Sequence, residues 1–295
     1  MWRPGPRRAT PRASTPPPWP PGCRSSPRRP GASPRKRGHE HGPRRAGRRR
    51  YRGRPGDRAR PGRRRGCPGA RVVALDRDAA GAAATATALG GEAMALDVTD
   101  AGAVADAIAG IEGRLGPIAL YCSNAGILER DPDPMLATSA DPESWARVFA
   151  VNVMGHVHAA RALVPLWRGR GGGAFLGTVS AAGLLGQIGS ATYGATKHAA
   201  LAFLDHLAIA HAQEGIRVAA LCPQGVDTAM LRDAGVAARA GVLSPEAVAE
   251  AAFAGLDAGR FLILPHPEVA EYARRRAVDH DRWLAGMGRL RRAML

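Results

Sequence analysis

Aromatic residues are scarce in this chain, at 5% of 295 positions, and cysteine occurs four times, as Cys23, Cys67, Cys122 and Cys222. Four thiols so placed make neither a disulfide framework nor a zinc motif. Cys122 and Cys222 each close an apolar run and read as buried small hydrophobes. No apolar stretch approaches the ~20 residues that a membrane span needs, and the N-terminus lacks the apolar core of a secretory signal. It is Arg-rich and acid-poor in the manner of a mitochondrial transit peptide, but its prolines would break the amphipathic helix such a peptide uses. These absences point away from membranes and toward a cytoplasmic location.

Positive charge is in excess: 42 Lys and Arg against 25 Asp and Glu, a net +17. The excess is local. Residues 1–70 hold 22 of the bases, two of the acids and 15 of the 24 prolines, so the remainder is acidic by three charges. Residues 1–69 show no apolar period of 2 or 3.6. They are expected to be disordered, having too little apolar surface to offset chain entropy. Such an Arg cluster attracts phosphate backbones, but no aromatic interleaving accompanies it, so nucleic acid is expected as a partner only through this tail. Residues 70–295 read as a single domain.

From Arg71 the character changes. "RVVAL", "AMAL", "IALYC", "AFLGTVS", "IRVAALC" and "FLIL" read as strands. Between them lie helical stretches at 78–90, 100–116, 141–167, 190–214 and 244–256, and the segment after His266 reads as helical. Continuously apolar strands alternating with helices argue for an α/β fold with a parallel sheet covered on both faces.

Tyr193 and Lys197 lie four apart in "YGATK" and share a helix face. Ser180 ends a strand in "TVSAAG" thirteen positions upstream, and Asn152 lies in "VNVMG" twenty-eight before that. A phenol titrates near ~10, and a cation within reach lowers such a value by roughly one to three units. That would bring Tyr193 toward acid/base work at neutral pH. The Tyr/Lys spacing alone fits a surface pair equally well. The four residues together, with Asn124, Ala125 and Gly126 after "IALYC", resemble the short-chain dehydrogenase/reductase family over residues 70–264, in order and spacing.

The resemblance implies a Rossmann-like doubly wound sheet and hydride transfer between NAD(P) and a secondary alcohol or ketone. Tyr193 would be the general acid/base. Lys197 would lower its pKa and bind the nicotinamide ribose. Ser180 would hydrogen-bond the substrate oxygen, and Asn152 would hold a water on a proton path from Lys197, unless it only braces its helix. Asn124, Ala125 and Gly126 would let the cofactor lie against backbone. Asp76, ending the second strand, would accept from the adenosine ribose and favour NAD. The adjacent Arg77 leaves NADP open, and Asp76 also fits a helix N-cap. Asp97 and Val98 resemble the adenine-edge contact, with a cap as the rival reading. Pro223, Val226 and Thr228 match the segment that meets the nicotinamide carboxamide; Gln224 stands where the family has glycine, and Gly225 comes one place late. Loops 127–141 and 228–243 should line the substrate pocket. The family also pairs long helices between subunits, which implies a homodimer or homotetramer.

The family opens with an apolar strand, a Gly-rich turn that seats the pyrophosphate at a helix N-terminus, and a first helix. Nothing before Val72 has that form, so the first strand and helix are expected to be lost. In the order 3-2-1-4-5-6 the missing strand is central. The reading adopted here is that the N-terminal region is a shifted reading of the gene. Reading residues 51–58, "YRGRPGDR", one base later turns Tyr and Asp into Ile or Thr, and each Arg or Gly codon into one that allows Gly, Ala or Val. A "TGxxxGIG" turn is then allowed at that place. Two rival expectations stand beside the dehydrogenase: a chain inactive for want of the pyrophosphate turn, and a nucleic-acid binder acting through its basic tail.

Overall fold

The computed structural model describes residues 70–233 and 241–294. The segment expected to be disordered and the codons read as shifted lie outside them. The described chain alternates as expected. It runs β1 (Val73–Asp76), α1 (Ala79–Leu89), β2 (Glu92–Ala95), α2 (Ala101–Leu115), β3 (Leu120–Ser123), α3 (Pro142–Phe149), α4 (Gly155–Arg170) and β4 (Gly173–Thr178). It continues through α5 (Ala182–Leu185), α6 (Ala191–Ala210), β5 (Ile216–Leu221), α7 (Ala229–Asp233), α8 (Pro245–Asp257), β6 (Leu262–Ile263), α9 (Glu268–Val278) and α10 (His280–Met294).

Local chemistry sets the helix ends. Asp78, Asp100, Asp141, Ser190 and Ser244 each accept a backbone N–H of the first turn, satisfying donors that a helix start leaves free. Gly90 ends α1 with φ 67°, a left-handed conformation that an L side chain resists. The stretch 141–167, read as one helix, is broken by a π-helical turn at Ala150–Met154. Such wide turns recur at functional sites, and this one carries Asn152.

All strand pairs are parallel, but among the described residues the sheet falls into two pieces, β1-β2 and β3-β4-β5-β6. β1 and β3 therefore each present one edge without a partner strand. The effect shows in burial. β4 and β5 are buried almost throughout, whereas the apolar residues of β1 are only half-buried. Cys122 on β3 is exposed, not buried as its apolar neighbours suggested.

One apolar layer joins the pieces. Leu96, Val104 and Ile108 pack with Leu163 and Trp167 of α4, Phe175 of β4 and Leu204 of α6, while Leu75 of β1 and Met94 of β2 lean on the same cluster. Trp167 is fully buried, meets Phe175 edge to face at 6.4 Å, and donates its indole N–H to Ile118 O at 2.8 Å. Gly173 is required beside it, since a Cβ there would lie 2.3 Å from the indole. Truncating a buried aromatic of this kind costs about 3–5 kcal/mol. Trp167→Ala should lower the unfolding free energy in urea by that amount; a change under ~1 kcal/mol would show that this layer does not hold the two sheet pieces together.

Candidate active site

The C-terminal ends of the parallel strands gather the candidate residues, as open α/β sheets do with their ligand sites. Ser190 caps α6 by accepting Tyr193 N–H at 3.3 Å, which places Tyr193 in the first turn and Lys197 one turn on. Both are buried, at 8% and 3% exposed. They lie on one side of the helix: Lys197 Nζ stands 5.6 Å from the Tyr193 ring centroid. Lys197 Nζ donates to Thr178 O at 3.2 Å, beside the strand end that leads to Ser180. The Ser180 hydroxyl lies near enough to the Tyr193 phenol to favour its ionised form.

The electrostatics differ from the expectation in one respect. Burial pushes the Tyr193 phenol above its ordinary value, and the Ser180 hydroxyl only partly opposes this. The Lys197 charge is not among the influences on it. Lys197 instead carries the larger consequence of desolvation, its ammonium dropping to about 8. The arrangement is thus a protonated phenol beside an ammonium that gives up its proton easily.

Asn152 is fully buried and both ends of its amide are engaged. Oδ1 accepts Ile127 N–H at 2.8 Å, and Nδ2 donates to Ile127 O at 2.9 Å and Thr196 Oγ1 at 3.1 Å. It therefore braces the loop that follows Asn124, Ala125 and Gly126. Gly126 runs close under both side chains: a Cβ there would lie 3.2 Å from Lys197 Nζ and 3.4 Å from Asn152 Oδ1. Further along, Asp131 Oδ1 accepts Ala191 N–H at 2.8 Å, tying this loop to the start of α6.

The remaining candidates lie along the same strand ends. Asp76 closes β1 with an exposed carboxylate that accepts Asp78 N–H at 3.0 Å; the cap of α1 is Asp78, not Asp76. Asp97 accepts the N–H and hydroxyl of Thr99, which hold its carboxyl below the usual range, and the cap of α2 is Asp100. Val98 O meets His158 Nδ1 at 3.0 Å, and its side chain would lie 3.0 Å from a Cβ at Gly155, so α4 passes close over it. Val226 bridges Leu243, and Thr228 opens α7 by accepting the N–H groups of Leu231 and Arg232. Part of the second expected pocket loop, 234–240, lies outside the described residues. A surface hollow of about 470 Å³ lined by Arg168, Gly171, Gln213, Glu214 and Gly215 lies at the other end of β4 and β5 and is no part of this site.

Two supports were missed in the sequence. Thr196 bonds Asn152 while its hydroxyl donates back to Thr192 O at 2.8 Å; its place between Tyr193 and Lys197 was the only hint. His156, one turn after Asn152, is 1% exposed and meets Ser123 Oγ at 2.7 Å through Nδ1, while Nε2 has no hydrogen-bond partner among the described residues. Burial holds its imidazole neutral, down to about 3, and the charge of Lys197 adds to this.

Fold and site together define a dinucleotide-type α/β oxidoreductase, and comparison with known proteins agrees. The family model for short chain dehydrogenase matches residues 64–237. A 1-deoxy-11-beta-hydroxypentalenate dehydrogenase of Streptomyces avermitilis is 36% identical over 210 residues, 68% of this chain and 77% of that protein. An inactive 2-(S)-hydroxypropyl-CoM dehydrogenase 2 of Xanthobacter autotrophicus is 37% identical over 157 residues, 52% of this chain and 66% of that protein. A short-chain dehydrogenase/reductase of Burkholderia phymatum, crystallised with NAD, superposes with a TM-score of 0.62 at 26% identity, covering 72% of this chain and 85% of that one. The chain belongs to the short-chain dehydrogenase/reductase family.

The buried ammonium gives a stability test with a defined sign. The folded value of Lys197 is about 8, below its ordinary 10.5. Between those values the unfolded chain binds the extra proton, so this group's contribution to stability rises with pH from about 8 toward 10.5. Lys197→Met lacks that rise. The stability difference between parent and variant, measured in urea at pH 7, 8.5 and 10, should shift in the parent's favour as pH increases; a difference independent of pH would mean that the ammonium is not desolvated.

Proposed function

We propose that this chain is built as an NAD(P)-dependent dehydrogenase or ketoreductase acting on a secondary alcohol or ketone. The observation that carries the reading is the buried Tyr193–Lys197 pair beside Ser180, with the Gly126 backbone close against Lys197 Nζ. The residues fit a nicotinamide dinucleotide at two points. Asn124, Ala125, Gly126 and Lys197 suit the nicotinamide ribose, with Val226 and Thr228 beyond. Asp76, with Asp97 and Val98, suits the adenosine end, and the exposed carboxylate of Asp76 favours NAD. For the pyrophosphate no Gly-rich turn occurs among the described residues.

When bound, the nicotinamide would supply or accept the hydride at the carbinol carbon. Tyr193, protonated in this setting, gives its proton to the carbonyl oxygen in reduction and takes one back in oxidation. Ser180 orients that oxygen and stabilises charge developing on it. Lys197 restores the phenol's proton, with Asn152 holding the loop and a water on the path to solvent. Reduction needs Lys197 charged, so its rate should be level below about 8 and fall above it. A rate that rises through that range would reverse the assigned roles.

A second reading is favoured by the divided sheet. With no strand between β1 and β3 among the described residues, the chain as written would be an inactive member of the family, and a frame-shifted N-terminus would account for it. An NADH fluorescence titration of the written chain beside a frame-restored version separates the two. Binding by the restored form alone supports the second reading, and equal binding removes it. In whichever form turns over, Tyr193→Phe should lower ketone reduction by about 10²-fold or more, followed by NADH absorbance; unchanged turnover ends the catalytic assignment. We assign the domain to residues 70–295, a cytoplasmic location, and a homodimer or homotetramer through α4 and α6, where Leu166 and Ile209 are exposed at 39% and 76%.

A further inference from the structure

His266 is 3% exposed and stands outside every role assigned above. It follows β6, and its two ring nitrogens hold two separate stretches of backbone. Gln224 N–H donates to Nδ1 at 3.1 Å, and Nε2 lies 3.0 Å from Gly241 O. A backbone N–H only donates and a carbonyl only accepts, so the ring proton sits on Nε2. One planar ring thus pins both ends of the connection that leaves β5. Next to those points the chain pairs with itself: Leu243 N–H donates to Gly225 O at 3.1 Å, and Asp227 N–H to Leu243 O at 2.9 Å.

Gln224 stands where the resembled segment has glycine, and it has two holders. Beyond the backbone bond to His266, its side-chain Nε2 donates to Glu268 Oε1 at 3.1 Å. On the other side, Pro223 O accepts Ala181 N–H at 2.7 Å and lies 3.5 Å from Ser180 Oγ. Gln224 is therefore suspended between the buried imidazole and the segment that carries Ser180. Losing the imidazole would take from Gln224 N–H, which is half-buried, and from Gly241 O the side-chain partner that each has in the ring.

We propose that His266 is a positioning residue for the nicotinamide end of the cofactor site, holding Gln224 so that Val226 and Thr228 are presented beside Ser180. This rests on the reading above that residues 223–228 face the nicotinamide. His266 touches neither substrate nor cofactor and acts through Gln224.

The test uses the full chain with two variants, His266→Phe and His266→Asn. Amide hydrogen exchange reads the clamp without any cofactor. In His266→Phe the Gln224 amide should exchange at least about tenfold faster, while the β5 amides of Val218 and Ala220 stay protected. His266→Asn, which keeps an acceptor near the place of Nδ1, should restore protection at Gln224. Unchanged Gln224 exchange in His266→Phe overturns the clamp. Should His266→Phe unfold and release the β5 amides too, His266→Asn decides, since a Gln224 amide left unprotected in a folded His266→Asn overturns it as well. Titration with NADH and with ADP-ribose, which lacks the nicotinamide, reads the positioning. His266→Phe should weaken NADH by about tenfold and leave ADP-ribose unchanged; equal losses overturn the proposal in favour of general structural support. The titrations use whichever of the written and frame-restored chains binds NADH; a parent that binds neither ligand in either form overturns the nicotinamide reading and the positioning with it, a failure told apart from loss of the clamp by the exchange data.

Discussion

The site depends on the burial of one ammonium. Lys197 lies beneath Tyr193 with its Nζ pressed toward Gly126, where even a methyl group would lie only 3.2 Å away. Removing the cation from water lowers its proton affinity, and the same removal raises that of the phenol. Two groups that titrate close together in water, at 10.0 and 10.5, are thereby pushed apart, so that the phenol holds its proton while the ammonium can give one up. The surrounding hydrogen bonds serve this geometry. Asn152 and Thr196 fix the backbone at Ile127, and Ser190 fixes the first turn of α6.

That geometry is borne by α4, α6, β4 and β5, which form one packed layer around Trp167, Phe175 and Leu204. The opposite flank is different in kind. β1 and β2 form a separate ladder, their free edge faces no described strand, and Cys122 is left open to solvent. An unpaired parallel edge within an α/β domain leaves backbone groups without their usual partners. The half that carries Tyr193 and Lys197 and the half that carries β1 and β2 thus stand in unequal condition, and the inactive relative from Xanthobacter autotrophicus shows that the family includes members so described by name.

Most of the fold was legible in the sequence because its signals are local. Apolar runs located the strands to within a residue or two, Asp and Ser marked the helix starts, and Gly90 and Gly116 marked two ends. The four-residue spacing of Tyr193 and Lys197 foresaw that they would share one side of α6. What escaped was set by tertiary packing. The π-helical turn at Ala150–Met154 has no compositional mark. The direction in which Tyr193 is displaced depends on how deeply it is buried, which spacing does not report. Cys122 was misread because its neighbours are apolar while the face it occupies is uncovered. His266 and Thr196 act through backbone groups far away in sequence, and neither residue type announces such a task.

The most direct measurement of the central claim is isotope transfer by the chain with its Gly-rich turn restored. Supplied with NADH carrying deuterium at the transferred position of C4 and a ketone that it reduces, the enzyme should place one deuterium on the carbinol carbon. Tyr193→Phe, still able to bind NADH, should yield almost none of that product. Alcohol formed without the label, or labelled alcohol formed equally well by Tyr193→Phe, would contradict the account.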